Sequence, residues 1–531
     1  MFLATALLFP ACTRRETAVE AGTRAQILHQ GIGAEPQDVD PHLTQFNSHF
    51  NIAMALGEGL VGYDPRDLHP IPGVAERWEI SPDGLGYTFH LRAGARWSNG
   101  DALTADDFVF SARRMLSPAL GSAFRFFYDD VRGAKEFSAS DRRDFSTVGI
   151  RALDARTLRI ELEHPTPYFL FLLGNPSWYP VHRTSVEAAG PFDRPFTGWT
   201  KPGRMVNNGP FDLAAWRAGQ VIIVKKNPRY WGAAGVRLNE IHFYPVENAD
   251  AEERMFRSGQ LHLTENVPSN KIPVYASAQP PVLDVSPFFA NYTYAFNTRR
   301  PPFTDARVRR AFSLAIDRER FIASQPGSGI RAATSLIPPG VDGYTYSGEP
   351  VVRCDPAEAR RLLAEAGYPD GRGFPAVDIS INTNARHQEF AQIVQQMWRQ
   401  ELGVRVNIVN KEGKVFYDER LRGEFQICRS GWVGDYIDAS AFLTNYLSTS
   451  GHNEPRYANP EFDHLVTTGT HMPDHAARLA RYREAEAMLL RDAPVAPIFW
   501  DTAHHLVSPA IRGRFPTILD FHPYQHIWLE K

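Results

Sequence analysis

Residues 420–447 read RLRGEFQICRSGWVGDYIDASAFLTNYL. Within them GEFQICRSGW has the length and apolar content of a short buried strand ending on Gly431 and Trp432. A loop through Gly434, Asp435 and Tyr436 then leads into a helix near Ala439. This places one carboxylate, two arginines (Arg420 and Arg429) and a large aromatic at the mouth of a sheet, where open α/β sheets hold their ligands. Taken alone, the stretch also admits a purely architectural reading, with Asp435 capping the helix and Trp432 in the core.

Outward from it, strands and helices alternate. Upstream lie FFANYTYAFNTRRPPF (288–303), a strand closed by prolines, and DARVRRAFSLAIDRERFI (305–322), one helix capped by Asp305. After a Pro- and Gly-rich loop over 326–350, DPAEARRLLAEAGY (355–368) is a helix stopped at Gly367. PAVDISIN (375–382), RHQEFAQIVQQMWRQELG (386–403) and VRVNIV (404–409) make a β-α-β series. Downstream, HAARLARYREAEAMLLRD (475–492) is an amphipathic helix and PVAPIFW (494–500) a buried strand. In the N-terminal half, AQILHQG (25–31) is an edge strand, and ERWEI and YTFHLR pair around the SPDG turn. Thr104 with Asp107 opens a helix ending near Met115, DARTLRIEL (154–162) is a strand, and residues 207–231 hold a strand pair. Residues 236–264 read strand, helix, strand. The class is α/β.

Composition narrows the function. A chain of 531 residues exceeds one hydrophobic core, so two or three domains are expected, and 43% apolar residues can fill them. The net charge of -3 without a basic run excludes a phosphate-binding face and so a nucleic-acid partner. After residue 12 no run approaches the ~20 apolar residues that span a bilayer. MFLATALLFPAC looks like a bacterial lipoprotein signal with Cys12 as the lipidated residue. Cys354 and Cys428, neither closely spaced nor in a metal pattern, fit either one disulfide or two buried thiols, and buried thiols are the expectation because no geometry argues for a bridge. No nucleophile elbow, Walker loop, zincin motif or cysteine pair is present, and Pro473 spoils a helical metal face between His471 and His475. Neither an enzyme, a cofactor nor a metal is indicated.

The order of the blocks GVAERWEISPDG, WSNGDALTADDFVFS, RPPFTDARVRRAFSLAIDR and RSGWVGDYIDASAFL, within a span of about residues 24–510, resembles the solute-binding proteins of peptide-importing ABC transporters. The oligopeptide-binding group is the nearest match. The resemblance implies a periplasmic-binding-protein-like fold of two α/β lobes joined by hinge strands, plus an extra α/β domain. After a signal and linker at 1–23, the first lobe would comprise 24–60, 185–284 and 505–531, the extra domain 61–184, and the second lobe 285–504.

It further implies that Asp435 holds a peptide's α-ammonium, with Glu35 near the same end. The peptide backbone would run as an added strand along Ser430, Gly431, Trp432, Val433 and Gly434, the two glycines permitting close approach. Arg429, Arg420 and His387 would meet the carboxylate. Other readings stay open: an inter-lobe ion pair for Arg429 and Glu35, a solvated face for Arg420, and a helix N-terminal role for His387. A family lysine before the PP turn has only Arg331 as a loose substitute, which leaves peptide length open, and Val433 replaces a cysteine that some relatives use in a disulfide. The implied partners are short peptides and the permease subunits of an ABC importer. A monomer in the periplasm or cell envelope is expected. Dipeptides, murein peptides or a metal chelate as ligand, and a sensing role, are the alternatives.

Overall fold

The computed structural model describes residues 15–44, 47–139, 144–341 and 343–531; Cys12 lies outside them. Three main sheets organise the chain. The first has four strands, in the order Ile27–Gly31, Glu240–Tyr244, Val221–Lys226, Phe211–Arg217. Ile27–Gly31 is its edge and runs parallel to Glu240–Tyr244, while the other pairs are antiparallel. Alternation in VIIVKK and EIHFY turns Ile222, Val224, Ile241 and Phe243 inward, all with no exposed surface. This unit begins earlier than the expected linker allows. A helix at Ala18–Ala25 is opened by a Thr17–Glu20 capping box, and Thr23 reaches His262 at 3.2 Å. The predicted second strand near 264 is reduced to isolated bridges from Leu263 to Gln30 and Val507.

The second sheet, Ala75–Ile80, Gly86–Leu91, Thr157–Glu161, Ile150–Asp154, is wholly antiparallel. Its helix Ala105–Met115 starts as predicted, with Asp107 Oδ2 accepting from the Thr104 backbone N–H at 2.8 Å. That helix carries Arg114, which is fully buried and pairs with buried Asp40 at 2.5 Å, while the Trp199 indole N–H also donates to Asp40. A buried pair of this kind fixes geometry, because either partner alone would be an uncompensated charge. It ties the loop after Ile27–Gly31 to the second sheet.

The third sheet orders Arg331–Ala332, Val495–Leu506, Leu283–Phe296, Ile427–Val433, Val377–Asn382, Val406–Lys411. Its two longest strands, Leu283–Phe296 and Val495–Leu506, pair antiparallel from Leu283↔Leu506 to Ala295↔Val495, with an irregularity between Pro287 and Asn291. At the Leu506 end they meet the first unit, where Thr264 Oγ1 accepts from the Leu506 backbone N–H at 2.9 Å. The pair therefore runs from the third sheet to the first unit.

Two further expectations are corrected. The segment 305–322 forms two helices, Ala306–Leu314 and Arg318–Ala323, with Asp317 recapping the second. The break is stabilised by Arg318, only 4% exposed, whose guanidinium donates to the carbonyls of Ser313, Ile316 and Pro497. Both cysteines are free, but only Cys428 is buried; Cys354 is exposed. The exposed cysteine lies in the irregular stretch just before helix Pro356–Glu365, where no periodicity reports burial.

Candidate functional site

Strand Ile427–Val433 is held on one side along its whole length, from Phe296↔Ile427 to Ala290↔Val433. On the other side Val377–Asn382 pairs with it only at Ile427 and Cys428. From Arg429 to Val433 that edge has no strand partner among the described residues. An unpaired sheet edge is a template for an extended chain.

The end of this edge is fixed by a residue that no motif singles out. Asn291, 6% exposed, accepts from the Trp432 backbone N–H at 3.0 Å through Oδ1 and donates to the Leu336 carbonyl at 2.8 Å through Nδ2. The two glycines serve this packing. A Cβ on Gly431 would lie 2.4 Å from the Asn291 carbonyl oxygen, and one on Gly434 would lie 2.3 Å from the Phe289 ring. The space they leave is filled by the neighbouring strand, so their smallness is explained without a ligand.

Beyond Val433 the loop delivers Asp435 into a cavity of about 300 Å³ shared with the unit of the second sheet. Trp432, Tyr436 and His452 line it on one side, Phe127, Asp130 and Tyr168 on the other. Tyr168 stacks on Tyr436 at 4.5 Å between centroids, closing the wall. Asp435 keeps some exposed surface, yet protein crowds it densely enough that burial pushes its carboxyl up to about 7. No hydrogen bond or ion pair reaches it from any described residue. The Trp432 indole N–H beside it is equally without an acceptor.

Alternation along the strand puts Arg429 and Ser430 on opposite faces. Arg429 lies over the Tyr292 ring at 5.5 Å, and the Tyr292 hydroxyl is 3.2 Å from His387 Nδ1. Arg429 has no carboxylate partner among the described residues, and its Nε has no acceptor. Burial, with Arg429 and Arg386 nearby, holds His387 down at about 3, so this imidazole is neutral at physiological pH. On the other face Ser430 donates to Glu454 at 2.6 Å. Arg420 Nε stands 3.1 Å from the other oxygen of that carboxylate, an ion pair without hydrogen-bond alignment.

The structure therefore groups Asp435 with Trp432, Arg429 with His387, and Arg420 with Ser430. Glu35 stands apart from these groups. Its oxygens accept from the Trp216 indole at 2.7 Å and the Gly219 backbone N–H at 2.9 Å, so the Arg429–Glu35 ion pair is not realised, and Arg420, paired with Glu454, is not a solvated face. Sequence reading missed Asn291, Tyr292 and Glu454. The aromatic run FFANYTYAF was the available signal for Tyr292, and Glu454, in a turn, offered none.

Residues 69–454 match the model of the bacterial extracellular solute-binding proteins, family 5 (middle). The periplasmic oligopeptide-binding protein of Escherichia coli (strain K12) is 33% identical over 499 residues, covering 92% of this chain and 89% of that protein. Among solved structures, the E. coli murein tripeptide-binding protein superposes with a TM-score of 0.81 at 32% identity, covering 95% of this chain and 98% of that one. The Haemophilus influenzae oligopeptide-binding protein in complex with the peptide RPPGFSPFR gives 0.77 at 31%, covering 95% and 99%.

Proposed function

Because the chain belongs to the family 5 bacterial extracellular solute-binding proteins, we propose that it captures short peptides between its two lobes and hands them to an ABC-type importer. One observation carries the reading: an unpartnered, desolvated carboxylate stands at the end of an unpaired strand edge. A zwitterionic peptide supplies what both lack. Its α-ammonium neutralises Asp435, and its backbone completes hydrogen bonding along Arg429–Val433. Arg429 meets the carboxylate end, and His387, neutral when the site is empty, adds a hydrogen-bond donor there. Arg420 and Glu35 act as supports, the first through Glu454 and Ser430, the second by fixing Trp216 and the Gly219 turn.

Closure turns on the paired strands Leu283–Phe296 and Val495–Leu506, the crossings between a first lobe (24–60, 185–284, 505–531) and a second (285–504), with 61–184 as the extra domain. An extracytoplasmic monomer fits this role, and Cys12 would anchor it as a lipoprotein. No described helix is long and apolar enough to cross a membrane. Catalysis is not assigned.

Native mass spectrometry of protein purified without denaturation tests the reading. A ladder of added masses fitting short peptides is expected. A single non-peptide mass, or none together with no thermal shift from a mixed peptide library, would leave the fold standing and the ligand wrong.

A further inference from the structure

A second cavity, of about 600 Å³, opens where the crossing strands leave the second lobe, with Glu265 on the first-lobe wall and Arg386, Glu389 and Asp501 on the opposite one. It adjoins the proposed peptide groove through Arg386. Arg386 precedes His387, and its charge acts on both His387 and Tyr292. Glu265 lies against the loop that carries Glu35: a Cβ on Gly33 would be 3.6 Å from Glu265 Cγ.

The charges around this cavity do not balance. Arg386 stands 3.5 Å from Asp501, and Glu389 accepts from Gln325 at 2.8 Å. Asp520 is shared by His505 at 2.9 Å, His522 at 2.7 Å and Arg514 at 3.4 Å, and Arg514 also pairs with Asp284. Glu252 accepts from the backbone N–H groups of Glu265 and Asn266. Of the carboxylates around this cavity, only that of Glu265 is left without a hydrogen bond or an ion pair to a described residue. Burial and the neighbouring Asp520 and Glu252 push it up to about 7, against the pull of His505 and Arg514. A metal ion does not fit the gap, because the one group of three metal-compatible ligands among the described residues is Asp64, Asp67 and His69.

Resting on the peptide reading above, we propose that Glu265 is a specificity-determining residue that receives a cationic side chain of the bound peptide, at a position after the first residue. A charged donor gains most at such a site, since a charge-assisted bond to a desolvated carboxylate is stronger than a neutral one. The lysine or arginine stem would fill the cavity and its tip would face the first-lobe wall, away from Arg386.

The test is isothermal titration of the full chain with peptides of one length in which a single lysine is walked through the positions after the first. Each peptide is compared with its norleucine counterpart. At one position lysine should bind about tenfold tighter than norleucine, and Glu265→Gln should cut that ratio to below about threefold. The norleucine peptide should still bind this variant, which shows that it is folded. Asp435→Asn should weaken both peptides and keep the ratio. No lysine preference at any position, or a preference that survives Glu265→Gln, overturns the assignment. A wild-type protein that binds none of the peptides removes the peptide reading itself, and this inference with it.

Discussion

Asp435 and Asp438 lie three residues apart in one loop, and they have opposite environments. Asp438, 3% exposed, accepts from the Ser440 backbone N–H at 2.9 Å and the Ser440 hydroxyl at 2.7 Å, and its other oxygen pairs with Arg478, itself 4% exposed. Asp435 has none of this, and only burial acts on it. The arginines of the preceding strand and helix repeat the contrast: Arg420 has Glu454, whereas Arg429 has an aromatic face and no carboxylate. Burial of a charge therefore does not mark the site. The mark is a buried charge whose partner is missing from the chain, because a fold that leaves one uncompensated carries a cost that a ligand can remove.

Substitutions should separate the two classes. Asp438→Ala strands the Arg478 guanidinium in the interior and is expected to cost about 3–5 kcal/mol of unfolding free energy in urea denaturation. A cost below about 1 kcal/mol would place Asp438 with Asp435 and erase the distinction. At the arginines, Arg429→Met should weaken binding of a free-carboxylate peptide by about 1–3 kcal/mol in titration calorimetry. Arg420→Met should instead lower the unfolding midpoint, because it strips Glu454 of its cation, and should change affinity by less than about threefold. If the two variants lose affinity equally, the supporting role given to Arg420 is wrong.

The contrast also has a pH dependence. The folded-state pKa of Asp435 is raised, so the proton favours the empty folded protein. Its stabilising contribution is present below the unfolded aspartate value of about 3.9 and is lost as pH rises towards about 7. A peptide ammonium favours the ionised form and reverses this. Affinity for free-amine peptides should fall as pH drops below about 7, approaching tenfold per unit. Glu58, Glu252, Glu265 and Glu486 are also pushed up to about 7 by burial, so the slope belongs to Asp435 only as the difference between wild type and Asp435→Asn.

Much of the frame was legible because its signals are local. Alternation in VIIVKK and YTFHLR, the Thr104–Asp107 box, the Gly403 stop and the apolar strand ending at Trp432 all depend on neighbours within a few residues. The division of labour within the site was not legible. Whether Arg420 is free depends on Glu454, 34 residues away, and whether Glu35 is free depends on Trp216 across the first sheet. The same holds for the break before Arg318, which looks like uninterrupted helix until the Pro497 carbonyl is brought to its guanidinium. Residue type told which groups could serve a ligand, and tertiary pairing decided which were already spoken for.

If Asp435 awaits an ammonium, a thermodynamic cycle shows it. One peptide is titrated with a free and with an N-acetylated amino terminus against wild type and Asp435→Asn at pH 7.5. The predicted result is that wild type prefers the free amine by about 2–5 kcal/mol, roughly 30-fold to several-thousand-fold in Kd, and that the variant shows little preference. An Asp435→Asn protein that keeps the wild-type preference for the free amine would show that Asp435 does not hold the peptide's amino end.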